Sequence, residues 1–363
     1  MVKKSQAKVD EWCADYGRVH IDYLRFTTKL ESLLGDILKA RNIGYHLIES
    51  RTKDPQSFRE KILRGSKSYR DPLKEITDLS GLRIITYYQD DAALIGKAIE
   101  SEFEVDSANS IQHSPAEAEF GYRSAHYVVH LKNSRTELVE WVGLDSLRAE
   151  IQVRTVLQHA WAAISHKLQY KRDNDVPTQL RRKLFRLSAL FELADDEFVS
   201  LRDASGKLVE QIDIQLATGI RNIPIDHISL SQFIEHSPVV FELSSLASEA
   251  GFNFDDPELE YSSRDTTISD FIQLSSYAKI GTLSDLEQSL EDSLAWAGAY
   301  LAEQFNAHGR KENQQWYVSP AFICELLLIG AKISHLRPGN LLQLGWHRDI
   351  ATRVFKVAKE FAS

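Results

Sequence analysis

The sequence predicts a mixed α/β or α+β domain, a central mixed sheet flanked by helices, followed by a second, mainly helical domain. Three observations carry that expectation. At 363 residues the chain exceeds one average domain. Between residues 45 and 172 the β-rich runs DLSGLRIITYY, FGYRSAHYVVHL and LRAEIQVRT are interleaved with segments of helical period, the pattern of a sheet with helices packed on it. From about Gly206 onward the apolar spacing is helical with irregular connections, as in SDLEQSLEDSLAWAGAYLAEQF and PAFICELLLIGAKISHL.

The elements follow in order. Residues 7 to about 50 repeat apolar side chains at three- and four-residue spacing and read as helix. In SRTKDPQSFREKILRG, Asp54 is a good N-cap, Pro55 suits the first helical position and Gly65 a stop, so Pro55 to Arg64 is a short helix. Asp78 to Tyr88 reads as a strand entered through a Ser-Gly turn. DDAALIGKAIESEF is helical, residues 105–119 are a polar loop, and Phe120 to Leu131 and Leu147 to Thr155 are strands. A helix then runs to about Arg172, and another, QLRRKLFRLSALFELADDEFVSLRD, follows Pro177. The expected organisation is residues 1–175 as the sheet domain with its N-terminal helices, 176–205 as a connecting helix, and 206–363 as the helical domain.

Composition narrows the class. Hydrophobic content of 43% and charged content of 26% are those of a soluble globular protein. Cys13 and Cys324 stand far apart and in no metal-ligand spacing, which points to a reducing, cytoplasmic setting. The N-terminal MVKKSQAKVDEWCADYG lacks the apolar core of a signal peptide, and no run reaches the roughly 18 apolar residues of a membrane span. No membrane partner is expected. From Gly206 to the end there are 12 Lys/Arg against 21 Asp/Glu, which equals the whole net charge of -9 and leaves 31 of each sign in residues 1–205. The acidic half is unsuited to wrapping DNA, whereas a neutral half with clustered cations suits local phosphate binding.

Four segments hold the chemistry. Arg51, Lys53 and Lys61 surround one short helix start, and Asp78 sits at the mouth of a strand. Tyr122, Arg123, Ser124 and His126 stand at the start of another. In AEIQVRT the two-residue alternation puts Glu150, Gln152 and Arg154 on one face and turns Ile151 and Val153 to the core. Magnesium asks for one or two carboxylates plus phosphate oxygens, which Asp78 and Glu150 supply from different strand ends. Transfer between phosphates is mainly positioning and charge neutralisation, a task for Arg51, Lys53, Lys61 and Arg83. A purine needs a flat partner, and Tyr122 beside Gly121 offers one.

Taken together, SRTK, DLSGLRI, GYRSAH and EIQVRT with HAW and HKLQYK resemble, in order, the synthetase domain of the RelA/SpoT alarmone synthetases over roughly residues 45–172. The resemblance implies a nucleotidyltransferase-like fold and a pyrophosphokinase that moves the β,γ-pyrophosphate of ATP to the ribose 3′-hydroxyl of GDP or GTP. It implies that Asp78 and Glu150 are the catalytic and magnesium-binding carboxylates. Arg51, Lys53, Ser57 and Lys61 match contacts to ATP. Tyr122 matches the tyrosine stacked on the acceptor guanine, with Arg123, Ser124, His126, Gln152 and Arg154 on the acceptor side. His166, Lys167 and Tyr170 match a closing helix motif. No hydrolase-type histidine cluster precedes the domain, so a small, synthesis-only enzyme is implied. Small members often form homo-oligomers, which this sequence neither demands nor forbids.

One departure bears on the acceptor. Where the family carries a lysine just before the Gly-Tyr, this chain has SPAEAEFGY, with Glu117 and Glu119. Two carboxylates in place of a cation repel a polyphosphorylated acceptor. Two alternatives therefore stand beside the guanine-nucleotide reading. One is a toxin-type relative acting on the 3′ end of tRNA or on ATP/ADP and restrained by the acidic C-terminal domain. The other is a catalytically silent nucleotide sensor. Outside the motif residues, His159 and Trp161 read as packing residues, and Arg181-Arg182-Lys183 as a solvated cluster or a tRNA contact.

Overall fold

The structure, a computed structural model, describes residues 6–64, 68–111, 124–168, 178–254, 261–307 and 317–361. By its internal contacts the chain divides into two compact units, the first ending at Arg202 and the second beginning at Asp203.

The first unit opens with α1 (Gln6–Ala40), followed by β1 (Leu47–Thr52), α2 (Pro55–Leu63) and the single turn α3 (Pro72–Glu75). Then come β2 (Ser80–Thr86), α4 (Gln89–Glu102), β3 (Phe103–Val105), β4 (Ala125–Leu131), the short α5 (Asn133–Thr136), β5 (Arg148–Thr155), α6 (Val156–Leu168) and α7 (Thr178–Ala217). The strands form one sheet in the order β1-β2-β5-β4-β3, with β2 and β5 parallel and the other pairs antiparallel. The sheet is therefore mixed, as expected.

Alternation sorts its two faces. Leu82, Ile84, Ile151, Val153, Tyr127 and Val129 join Tyr16, Phe26, Leu30 and Leu34 of α1 and Ile95 and Ile99 of α4 in one apolar core. The helix α4 approaches β4 at Gly96, where an added Cβ would collide with the Tyr127 hydroxyl. The opposite face carries Glu49 and Arg51 of β1, Gly81 and Arg83 of β2, Glu150 and Gln152 of β5 and His126 of β4, brought level by the register Glu49↔Arg83, Gly81↔Glu150, Arg83↔Gln152 and His126↔Gln152.

The sequence reading needs correcting at the sheet's edges. The helix expected up to about residue 50 stops at Ala40, the chain turns at Asn42 in a left-handed conformation (φ 52°), and Leu47–Thr52 is an edge strand. A run as short as Ile43 to Ile48 fits helical and extended periods equally, and the free edge of β2 decides between them. The strand β3, read as helix end and polar loop, exists by pairing Phe103, Glu104 and Val105 with β4. The short helix after Asp54 is as expected: the Asp54 carboxylate accepts the Ser57 N–H at 2.9 Å, and Pro55 occupies the first turn. Its expected stop, Gly65, lies outside the described residues, as do residues 120–123.

The second unit is helical: α8 (His227–His236), α9 (Pro238–Ala250), α10 (Tyr261–Tyr277), α11 (Leu283–Glu291), α12 (Leu294–Ala307), α13 (Pro320–Ala331), α14 (Pro338–Gln343) and α15 (Arg348–Phe361). Its core centres on α13, whose Ile323, Leu326, Leu327, Leu328 and Ile329 are all buried. Gly330 sits where a Cβ would meet the Trp296 ring at 2.8 Å. In the same helix Glu325 is buried, and its Oε1 has no hydrogen-bond partner. Burial pushes its carboxyl well above the usual range, and the charge of Asp270 on α10 pushes the same way.

That carboxyl favours the folded state only in its neutral form. Stability should therefore decline as the pH rises above the ordinary carboxylate range, where the unfolded chain releases the proton and the folded chain resists doing so. Glu325→Leu should raise the denaturant midpoint of the full chain's helical unit by the equivalent of about 1–3 kcal/mol and flatten its decline with pH. An unfolding series in urea read by circular dichroism from pH 5 to 9 tests this, and a lowered midpoint would contradict it.

Candidate active site

The site is assembled on the open face of the sheet where β1, β2 and β5 end near one another. Just past the β1–β2 ladder, the Lys53 N–H donates to the Leu79 carbonyl at 2.9 Å, which draws the chain after β1 against the turn before β2. The Tyr16 hydroxyl of α1 donates to the Lys53 carbonyl and fixes the junction from below. Asp78 lies in that turn, a 3-10 segment over Thr77–Leu79, with backbone angles of −99° and 32°.

Both oxygens of Asp78 are gripped. The Lys53 ammonium lies 2.8 Å from Oδ2, and the Lys61 ammonium of α2 lies 2.7 Å from Oδ1. Lys53 is itself only 5% exposed. Burial opposes ionisation of Asp78, but the hydrogen bonds and charges of the two lysines outweigh it and hold the carboxyl below the usual range. The two lysines and the aspartate come from three separate segments, and the ion pairs bring them to one point.

Glu150 stands beside this cluster. Its Oε2 accepts the Thr77 hydroxyl at 3.0 Å, so residues 77 and 78 of one turn contact the two halves of the site. Its Oε1 lies 3.1 Å from His126 Nδ1 and accepts the Gln152 side-chain amide at 3.1 Å. Burial again opposes ionisation, but the hydrogen bonds from His126, Gln152 and Thr77 prevail and bring the carboxyl down to about 2. The network continues at both ends. Ser124 Oγ lies 2.9 Å from His126 Nε2, and the Arg154 guanidinium donates to the Gln152 carbonyl oxygen.

Asp78 and Glu150, with Glu49, Ser50, Arg51, Gly81, Leu82, Arg83 and Gln152, line one cleft of ≈ 340 Å³. The two carboxylates thus face the same side of the sheet. Arg83 bridges to Glu49 at 2.8 Å across the β1–β2 pair. Ser57 is spent on the cap of α2 and does not line the cleft. His166 and Lys167 fall within α6, while Tyr122, Arg123 and Tyr170 lie outside the described residues, as do Glu117 and Glu119.

Two residues with contacts in the site carry no signal in the sequence. Thr77 and Glu49 carry no motif signal; their contacts exist only through strand register. His159, expected as a packing residue, has a buried Nδ1 without a hydrogen-bond partner, as do the Nε atoms of Arg83 and Arg154. Burial and the charges of those two arginines push the imidazole down, and burial together with Arg83 pushes Arg154 down to about 10.

Residues 50–175 match the family described as the region found in RelA / SpoT proteins. The matched stretch falls within the first unit. The chain is 29% identical to the GTP pyrophosphokinase YwaC of Bacillus subtilis (strain 168) over 164 residues, covering 44% of this chain and 76% of the relative. It is 27% identical to the GTP pyrophosphokinase YjbM of the same organism over 155 residues, 43% of this chain and 71% of the relative. The crystal structure of the small alarmone synthetase 1 from Bacillus subtilis aligns at 25% identity with a TM-score of 0.43, over 53% of this chain and 98% of that one.

The depressed Glu150 carboxyl sets an acid limit. Its usual value of 4.5 falls to about 2 on folding, so its contribution is complete above 4.5 and is lost as the pH falls toward 2. Asp78, also depressed, acts in the same sense. Thermal unfolding followed from pH 7 to pH 3 should show a smaller acid-induced drop in midpoint for Glu150→Gln than for the unaltered chain, and equal drops would remove the assigned network.

Proposed function

We propose that this protein is a magnesium-dependent pyrophosphokinase that transfers the β,γ-pyrophosphate of ATP to the 3′-hydroxyl of GDP or GTP. The observation that carries the reading is the convergence of Asp78 and Glu150, from separate strand ends, on one cleft lined with cations. The matching family region and the two relatives named GTP pyrophosphokinase support it.

The donor set suits magnesium. Two ionised carboxylates share a small cleft with room for phosphate oxygens, and no histidine or cysteine cluster of the zinc type occurs among the described residues. Asp78 and Glu150 would hold the ion, with entry loosening the lysine grip on Asp78. When bound, it would neutralise phosphate charge and polarise the phosphoryl oxygens.

The chain's own residues take the other tasks. Lys53 and Lys61, already aimed at a carboxylate, can redirect their ammonium groups to triphosphate oxygens. Arg51 and Arg83 line the same cleft for the donor nucleotide. The acceptor 3′-oxygen attacks the β-phosphorus and its proton passes to solvent, while the bond from the β-phosphorus to the bridging α-phosphate oxygen breaks and AMP leaves with that oxygen. A carboxyl as acidic as Glu150 is a weak base, so its contribution is to orient the hydroxyl and His126 and to place negative charge. Little base strength is needed where bond breaking runs ahead of bond making.

The acidic stretch with Glu117 and Glu119 favours a second reading, in which the acceptor is tRNA or an adenine nucleotide and the C-terminal unit restrains the reaction. One assay separates them. Purified full chain is incubated with γ-labelled ATP, magnesium and GDP, GTP, ATP or tRNA in turn, and both the labelled product and AMP are followed. Label on GDP or GTP is expected; label on tRNA or an adenine nucleotide selects the second reading, and ATP binding without AMP release defeats both. Glu150→Ala should remain folded and lose about 100-fold or more of the transfer rate, and Asp78→Ala should lose as much while also lowering the unfolding midpoint, because Lys53 is left unpaired. A folded, active Glu150→Ala chain would overturn the assignment of that carboxylate.

A further inference from the structure

The cleft presents two rows of side chains across the sheet. In the first, Arg51, Gly81 and Glu150 stand level, with Asp78 in the turn just before β2. In the second, two residues on along β2 and about 7 Å away, Glu49, Arg83 and Gln152 stand level. The first row and its lysines suit a triphosphate, and a nucleotide seated there extends its sugar and base over the second. A carboxylate in that second row repels phosphate, so Glu49 is suited to a different partner, an N–H donor. Glu49 is also only half engaged. Its Oε2 accepts Arg83 Nη1 at 2.8 Å, while its Oε1 has no hydrogen bond or ion pair among the described residues. Gln152, in the same row, is committed at both ends: its amide donates to Glu150 and its carbonyl oxygen accepts Arg154. Among these three residues, Glu49 Oε1 is the acceptor left for a ligand, with an arginine beside it.

A reaction between two nucleotides has to tell donor from acceptor. Asp78, Glu150 and the lysines act on phosphate and metal, and these are common to every triphosphate. The bases differ. Adenine carries an exocyclic amino group, an N–H donor, where guanine carries O6, an acceptor, and N7 beside it is an acceptor in both. A carboxylate oxygen next to an arginine matches the adenine edge, donor to acceptor and acceptor to donor, and repels the oxygen of guanine. We propose, resting on the donor-nucleotide reading of the cleft, that Glu49 selects the base of the donor. Its Oε1 accepts the amino group of adenine and excludes guanine from the donor position, which keeps a guanine nucleotide for the acceptor role. Discrimination of this kind is strong, because the wrong base leaves a polar group unpaired or faced by its like.

Bases that differ only at the amino group supply the test. Binding of ATP and of purine riboside 5′-triphosphate, which lacks that group, is measured by isothermal titration on the full chain with magnesium and no acceptor. The unaltered chain should bind ATP about 10-fold tighter than the analogue, as a hydrogen bond to a charged acceptor implies. In Glu49→Ala the preference should disappear, and Glu49→Gln, whose carbonyl oxygen still accepts, should keep part of it. The side chains of Arg83 and Glu49 are 36% and 44% exposed, so these variants retain the fold. The ratio of the two affinities is the readout, because releasing Arg83 alters the affinity for both triphosphates alike. An unaltered chain that binds the two equally overturns the proposal. So does a Glu49→Ala chain that keeps the preference, which would leave Glu49 as the counter-ion of Arg83 alone. A preference that depends on Glu49, in a chain that releases no AMP with any acceptor, upholds the base selection and rejects the reaction; failure to bind either triphosphate rejects both.

Discussion

A carboxylate withdrawn from water must find compensation, and Asp78 finds it in two ammonium groups at once. The arrangement of the first unit around the cleft follows from that requirement. Lys53 arrives from the end of an edge strand, Lys61 from the helix capped by Asp54, and Asp78 from the turn into the neighbouring strand. Remove the aspartate and a lysine of 5% exposure is left with an uncompensated charge. The ion pairs therefore hold three segments together while storing cationic groups at the place where an anionic ligand would sit. Structure and binding draw on the same electrostatic demand.

Glu150 is compensated differently. It has hydrogen bonds to an imidazole, an amide and a hydroxyl, with no lysine or arginine ion pair of its own among the described residues. Two acidic groups in one cleft are thus both kept ionised, by unlike means. Parallel pairing of β2 with β5 is what sets them side by side, since Gly81 beside Glu150 leaves the space above the strand open. The neighbouring arginines, by contrast, keep donors without partners.

Away from the cleft, polarity is inverted in two places. The helix α7 buries Ser188 and Asp195 and leaves several leucines exposed, and the helical unit buries a glutamate among leucines. Each departs from the usual partition between core and surface, and each has an energetic consequence that burial alone defines. The first leaves apolar area in water; the second keeps a proton on a carboxyl.

Much of this was legible in the sequence, though unequally. Period-two alternation in AEIQVRT separated Glu150 and Gln152 from Ile151 and Val153, because side-chain direction along a strand is a local property. The cap at Asp54 was equally local, set by one side chain and the proline after it. The edge strands β1 and β3 were not legible. Neither has a distinctive period, and both exist because a neighbour offers unpaired backbone groups. For the same reason Glu49 and Thr77 could not be placed in the site. By itself, then, the order of residues determined the element types, the capped helix and the two carboxylates with their candidate cations. Only the tertiary structure decided that Lys53 and Lys61 close on the same aspartate, that Thr77 ties the two acids together, and which face of α7 is left uncovered. These depend on register and on contacts between segments tens of residues apart, and no local pattern encodes such distances.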